Sequence, residues 1–185
     1  FLFNWQVLPR IGGRAMWREG DLARGQARGM LFYPLSVLAL IGVFHDRLWM
    51  AASVWGLLAL GDGMASIVGQ LLRGPALPWN PSKGFMGLIA FVLFGTLGAF
   101  GLGMWTAPDL DPAKVFTAAL GMALLASLVE SMDTTLDDNL TVPLAGAVTL
   151  PLLWGLSGLG PNAAGLELRI LEGLVVNAGF AWMAF

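Results

Sequence analysis

Long apolar stretches alternate with short connectors rich in Gly, Pro and charge along the whole chain. A membrane-spanning helix needs roughly 20 mostly apolar residues. On that measure Leu48–Leu72, Gly84–Trp105, Lys114–Met132, Leu140–Leu159 and Leu166–Phe185 read as spans, and Met30–Phe44 as a short one that its apolar flank can extend. Phe1–Leu8 reads as the tail of a further helix. The connectors hold the breakers: Pro75, Pro78 and Pro81, then Pro108 and Pro112, then Gly158, Gly160 and Pro161. The expected fold is all-α, a polytopic transmembrane helix bundle of about six segments in one domain covering 1–185. The pairs Gly95/Gly98 and Gly98/Gly101 read as faces for close helix packing. No internal repeat is visible. The start at Phe1 and the apolar end at Phe185 predict a piece of a longer membrane chain, with at least one helix missing on the N-terminal side.

Composition agrees with that pattern. Of 185 residues, 57% are hydrophobic and 12% charged, with a mean hydropathy of +0.73. Soluble domains average about 25% charged residues. There is no Cys, which excludes disulfides and thiolate metal sites. A single histidine, His45, excludes His-rich metal sites and argues against a Ser-His-Asp triad. If segments alternate sides, Arg10, Arg14, Arg18, Arg24, Arg28, Arg73 and Lys83 share one face, against Arg47, Lys114 and Arg169 on the other. The richer face is then cytoplasmic. Residues 9–29 form a basic amphipathic connector suited to an anionic leaflet. Net charge of −2 and a membrane location speak against nucleic acid as a partner. Tyr33, His45 and the eight Trp read as interface or packing residues.

Three polar clusters fall on the cytoplasmic face. The first is Gly61-Asp62-Gly63 with Ser66 and Gly69. Asp62 is the only charge in Leu48–Leu72. A carboxylate at that depth costs about 2.5–3.5 kcal/mol on insertion scales, so it faces a cavity, an ion or a partner. Asp62, Ser66 and Gly69 share one helix face. A kinked helix with Asp62 paired to a neighbour is the plainer alternative. The second cluster is Asn80-Pro81-Ser82-Lys83-Gly84-Phe85-Met86-Gly87, with a Lys at a helix start. Free N–H groups and the helix dipole favour phosphate there, although a lone Lys is more often a topology anchor. The third runs from Glu130 through Asp133 to Asp137-Asp138-Asn139. Crowded acids require a cation, and oxygen-only ligands point to Mg²⁺, then Ca²⁺. A solvated acidic loop is the alternative; Glu130 speaks against it because it lies on the helix itself.

Carboxylates for a divalent cation, a Lys for phosphate and a lipid-embedded site suggest phosphoryl or nucleotidyl transfer to a lipid acceptor. The ordered motifs Gly61–Gly69, Pro81–Gly87 and Asp137–Leu144 also resemble the polyprenol kinase family, which includes dolichol, phytol and CTP-dependent diacylglycerol kinases. The resemblance runs from about Leu8 to about Pro151. It departs from the family pattern where Lys83 is followed directly by Gly84 and Phe85. It implies a membrane kinase domain truncated at its N-terminus that transfers a phosphoryl group from a nucleoside triphosphate, typically CTP, otherwise ATP, to a lipid alcohol such as phytol or dolichol, with Mg²⁺. It implies catalytic roles for Asp62 and Lys83. Nucleotide contacts fall to Gly61, Gly63, Ser66, Gly69, Asn80, Ser82, Gly84, Gly87 and Asn139, and metal contacts to Asp62, Glu130, Asp137 and Asp138. Three rivals stand beside it: cytidylyl transfer to phosphatidate, a transporter with an Asp62/Glu130 ion relay, and a non-catalytic membrane subunit. A homo-oligomer or a fused second membrane domain stays open.

Overall fold

A computed structural model describes residues 28–72, 74–132 and 136–157. The basic connector at 9–29 lies outside the described residues apart from the first turn of α1. So do the expected segments Phe1–Leu8 and Leu166–Phe185.

Five helices and one hairpin make up the described chain. Helix α1 spans Arg28–Val43 and α2 spans Leu48–Leu72. Strands β1, Ala76–Leu77, and β2, Asn80–Gly84, pair antiparallel around a Pro78-Trp79 turn. Helices α3, Phe85–Thr106, α4, Pro112–Ser131, and α5, Asp138–Ser157, follow. Four of these, α2 to α5, are long and apolar enough to cross a membrane. Helix α1 has 16 residues, about 24 Å at 1.5 Å per residue, short of the roughly 30 Å hydrocarbon core. The bundle is thus the expected all-α membrane fold, with four spans in the described residues. The hairpin is an addition that Pro78 and Pro81 concealed in the sequence.

Local chemistry explains the element ends. Asp111 caps α4 by accepting the Ala113 N–H at 2.9 Å, and Pro112 starts the helix where a missing N–H costs nothing. Asp137 plays the same part for α5, accepting the Asn139 N–H at 3.0 Å. Pro143 inside α5 cannot bond the carbonyl of Asn139 four residues back. The hydroxyl of Ser36 on α1 donates to that carbonyl instead, so the proline ties α1 to α5.

Helices α2 and α3 meet along glycine. A Cβ on Gly98 would strike the carbonyl oxygen of Gly56, and one on Gly56 would strike that of Gly98. Nearer the hairpin, Gly61 lies against Gly95, and Gly69 against Gly87. Without side chains between them the backbones approach closely and gain dispersion contact. Gly95 and Gly98 therefore form a packing face as expected. Gly101 does not: nothing lies within 4 Å of where its Cβ would be. The core beside this seam is built from Val54, Leu57, Phe91, Ala99, Met122, Ala123 and Val142. Large apolar side chains such as Leu71, Leu93, Leu97, Trp105 and Leu152 point outward, as in a bundle solvated by lipid.

Helix α2 is not uniform. Its turn Leu57–Asp62 widens to a π-helix, flanked by α-helix on both sides. Such turns concentrate at functional positions, and this one ends on Asp62.

Candidate functional site

The end of α2, the hairpin, the end of α4 and the start of α5 gather at one end of the bundle. Glu130 sits in the last turn of α4 and is buried. Lys83, on β2, extends its ammonium to Glu130 Oε1 at 2.7 Å and to Asp138 Oδ2 at 3.4 Å. It also donates to the backbone carbonyl of Glu130. Asp138 opens α5, and Asp62 ends the π-turn of α2. Carboxylate oxygens of Asp62, Glu130 and Asp138 all lie within 4.8 Å of one another. Three acids carried by three helices thus meet at one point, with one ammonium against two of them.

Burial on its own lowers the pKa of Lys83, but its contacts with Glu130 and Asp138 outweigh that and hold the ammonium above its ordinary range. It is a permanent cation at neutral pH.

The donor set fits a hard divalent cation. It offers only oxygen, from half-buried or buried carboxylates. With all three oxygens within 4.8 Å of one another, one ion at metal–oxygen distances of about 2.0–2.6 Å could be reached by each of them after small side-chain adjustments.

A cavity of about 270 Å³ adjoins the cluster. Ser66, Gly69 and Gln70 of α2, Ser82, Lys83 and Gly84 of the hairpin, Gly87 of α3 and Glu130 line it. Glycine brings two walls of the cavity together: a Cβ on Gly87 would lie 3.2 Å from the carbonyl of Ala65, and one on Gly69 3.5 Å from the α-carbon of Gly87, so α2 and α3 approach closely there.

The candidate residues therefore separate into groups. Asp62, Lys83, Glu130 and Asp138 form the charged cluster, and Ser66, Gly69, Ser82, Gly84 and Gly87 line the cavity beside it. Gly61 is buried against Phe91 and Gly95, and the position of a Cβ on Gly63 is open. Asp137 is not one of the trio; its Oδ1 accepts from the amide and the side chain of Asn139, the latter at 2.7 Å. Asn80 is buried, with its Nδ2 on the Ser131 carbonyl at 3.0 Å and its Oδ1 accepting from Ser82. Sequence reasoning passed over Gln70, although it extends the polar face of Asp62 and Ser66 by another four residues. It also passed over Trp79 and Ser131, joined at 3.0 Å, for which no local signal exists.

No family model matches the chain, and no solved structure matches it. Curated proteins do. The chain is 35% identical over 136 residues to the probable phytol kinase 2, chloroplastic, of Oryza sativa subsp. japonica, covering 71% of this chain and 44% of that protein. It is 37% identical over 138 residues to the probable phytol kinase 3, chloroplastic, of Glycine max, covering 71% and 42%. The farnesol kinase, chloroplastic, of Arabidopsis thaliana is 32% identical over 146 residues, covering 76% and 47%. The matched region is that of the polyprenol kinase family. The chain spans just under half the length of these relatives. The family resemblance rests on three separated motifs, and the fold draws one charged residue or more from each of them into the same cluster.

Proposed function

We propose that the chain carries the phosphoryl-transfer site of a membrane-embedded lipid-alcohol kinase. The observation that carries this reading is the meeting of Asp62, Glu130 and Asp138 with Lys83 beside a cavity. The donor is a nucleoside triphosphate, CTP by family resemblance. The acceptor is a prenol such as phytol or farnesol, the alcohols in the names of the relatives.

In this reading Asp62, Glu130 and Asp138 hold Mg²⁺, which when bound neutralises charge on the phosphate oxygens. Lys83 turns its ammonium to the γ-phosphoryl group and offsets charge as the bond to the leaving nucleoside diphosphate breaks. The lipid hydroxyl oxygen forms the new P–O bond in line with that leaving group. Its proton passes to a carboxylate of the cluster and then to water. Ser66 and Ser82 contribute hydroxyl donors, and Gly69, Gly84 and Gly87 admit phosphate close to backbone N–H groups. The prenol tail reaches the site from the bilayer. The loop charges in the sequence support a cytoplasmic position for this end of the bundle.

The test is incubation of the chain in lipid micelles with labelled CTP or ATP and a panel of prenols, followed by mass analysis. A phosphorylated prenol and a nucleoside diphosphate are expected, whereas pyrophosphate release would mean cytidylyl transfer. Asp62→Asn and Lys83→Ala should each abolish transfer. Undiminished turnover in either variant would overturn the site.

A further inference from the structure

The C-terminal end of α4 is closed in an unusual way. A helix leaves its last carbonyls without helical partners, and Gly in a left-handed conformation commonly closes that end. Helix α4 has no such residue: Met132 follows it in extended conformation, φ −75° and ψ 147°. Its last four carbonyls are nevertheless all bonded. Leu128 accepts from the Ser131 hydroxyl at 2.7 Å and Val129 from the Met132 amide at 3.2 Å. Glu130 accepts from Lys83, and Ser131 from Asn80 Nδ2 at 3.0 Å. The hairpin thus supplies two of the four donors, from residues about fifty positions earlier in the chain.

Asn80 acts at both ends of this joint. Its Nδ2 grips the helix end, while its Oδ1 accepts from the Ser82 amide at 3.1 Å and the Ser82 hydroxyl at 2.5 Å. Those bonds fold Asn80-Pro81-Ser82 and so aim the next residue, Lys83, at Glu130. Trp79 adds a second tie, donating from Nε1 to Ser131 Oγ at 3.0 Å while its ring packs edge-on to Phe85 with centroids 6.4 Å apart. Asn80 is 4% exposed and Ser131 1%, so water does not compete for these bonds.

We propose that Asn80 and Trp79 are positioning residues that fix Glu130 and Lys83 by clamping the last turn of α4, and do not themselves touch nucleotide. This rests on the reading of Asp62, Glu130 and Asp138 as a cation site. Residues that orient metal ligands commonly change metal affinity about 10–100-fold when replaced.

The measurement is Mn²⁺ binding to the full chain in detergent, followed by electron paramagnetic resonance, together with the KM for a prenol. Asn80→Asp keeps the acceptor for Ser82 and deletes the donor to Ser131. It also adds a negative charge, which through long-range attraction alone would tighten cation binding. Positioning predicts the reverse: Mn²⁺ affinity falls by about 10-fold or more, with the prenol KM unchanged. Equal or tighter Mn²⁺ binding overturns the proposal. Trp79→Phe is the second arm and keeps the ring against Phe85. It weakens Mn²⁺ binding by less, and the weakening vanishes when Ser131 is already Ala, because the Trp79–Ser131 bond is then already gone. A loss in Trp79→Phe that persists in Ser131→Ala also overturns the proposal. Binding that Asp62→Asn leaves intact in the parent chain would overturn the cation site itself, independently of Asn80.

Discussion

Replacing Lys83 with Met removes the ammonium and keeps most of the apolar stem. At an effective dielectric near 20, its attraction to Glu130 at 2.7 Å and to Asp138 at 3.4 Å is about 6 and about 5 kcal/mol before desolvation. Desolvation cancels much of that, and removing one partner from a buried pair costs about 3–5 kcal/mol. The side chains of Lys83 and Glu130 are 27% and 10% exposed, so partial screening reduces the expected loss to about 2–3 kcal/mol. The variant then holds three carboxylates within 4.8 Å and no ammonium among them. A divalent cation should restore what the ammonium provided, and free Mg²⁺ at a hundred times its Kd contributes about 2.7 kcal/mol. The assay is thermal unfolding in detergent, followed by the fluorescence of the eight Trp, with EDTA and across a Mg²⁺ series. Lys83→Met unfolds earlier than the parent in EDTA and gains more from Mg²⁺. The pH arm has a definite sign. The Lys83 pKa is held above 10.5, so its contribution is complete below pH 10.5 and is lost as pH rises through the higher folded value. The variant lacks that alkaline loss. Equal stability of the two chains in EDTA, or an equal response to Mg²⁺, would refute the reasoning.

Three further outcomes follow from the structure. Gly98→Ala drives a methyl into the Gly56 carbonyl and costs about 1–3 kcal/mol or more; Gly101→Ala meets nothing and gains up to about 1 kcal/mol from helix propensity, both read as melting temperatures. Asp137→Ala loses a helix cap, about 1 kcal/mol, and leaves Mn²⁺ affinity unchanged, whereas Asp138→Asn lowers that affinity; equal effects on binding would contradict the division of labour. Ser53 carries a buried hydroxyl without a partner among the described residues, so Ser53→Ala raises stability by about 1 kcal/mol in the same melt.

The helices were legible because each is an unbroken apolar run closed by Pro, Gly or charge: Leu48–Leu72 coincides with α2 to the residue, and α3 to α5 begin or end within two residues of expectation. The hairpin was not. Asn80, Pro81 and Ser82 have poor strand propensity, and what holds them is the end of a helix far along the chain. The acids of the cluster were visible as costly charges in or next to apolar helices. Which of Asp137 and Asp138 faces the cluster was not, since adjacent residues on a nascent helix point about 100° apart and only the helix start decides between them. Gly95, Gly98 and Gly101 look alike in sequence; the crossing with α2 uses the first two and leaves the third in the open.

Because α4 draws two of its terminal donors from the hairpin, the order of its last turn depends on residues about fifty positions earlier. The carbonyls of Glu130 and Ser131 take their donors from Lys83 and Asn80. Damage to the hairpin would therefore register elsewhere, as faster amide hydrogen exchange in the last turn of α4. The placement of Glu130 thus answers to two segments at once, its own helix and the hairpin laid against that helix's end.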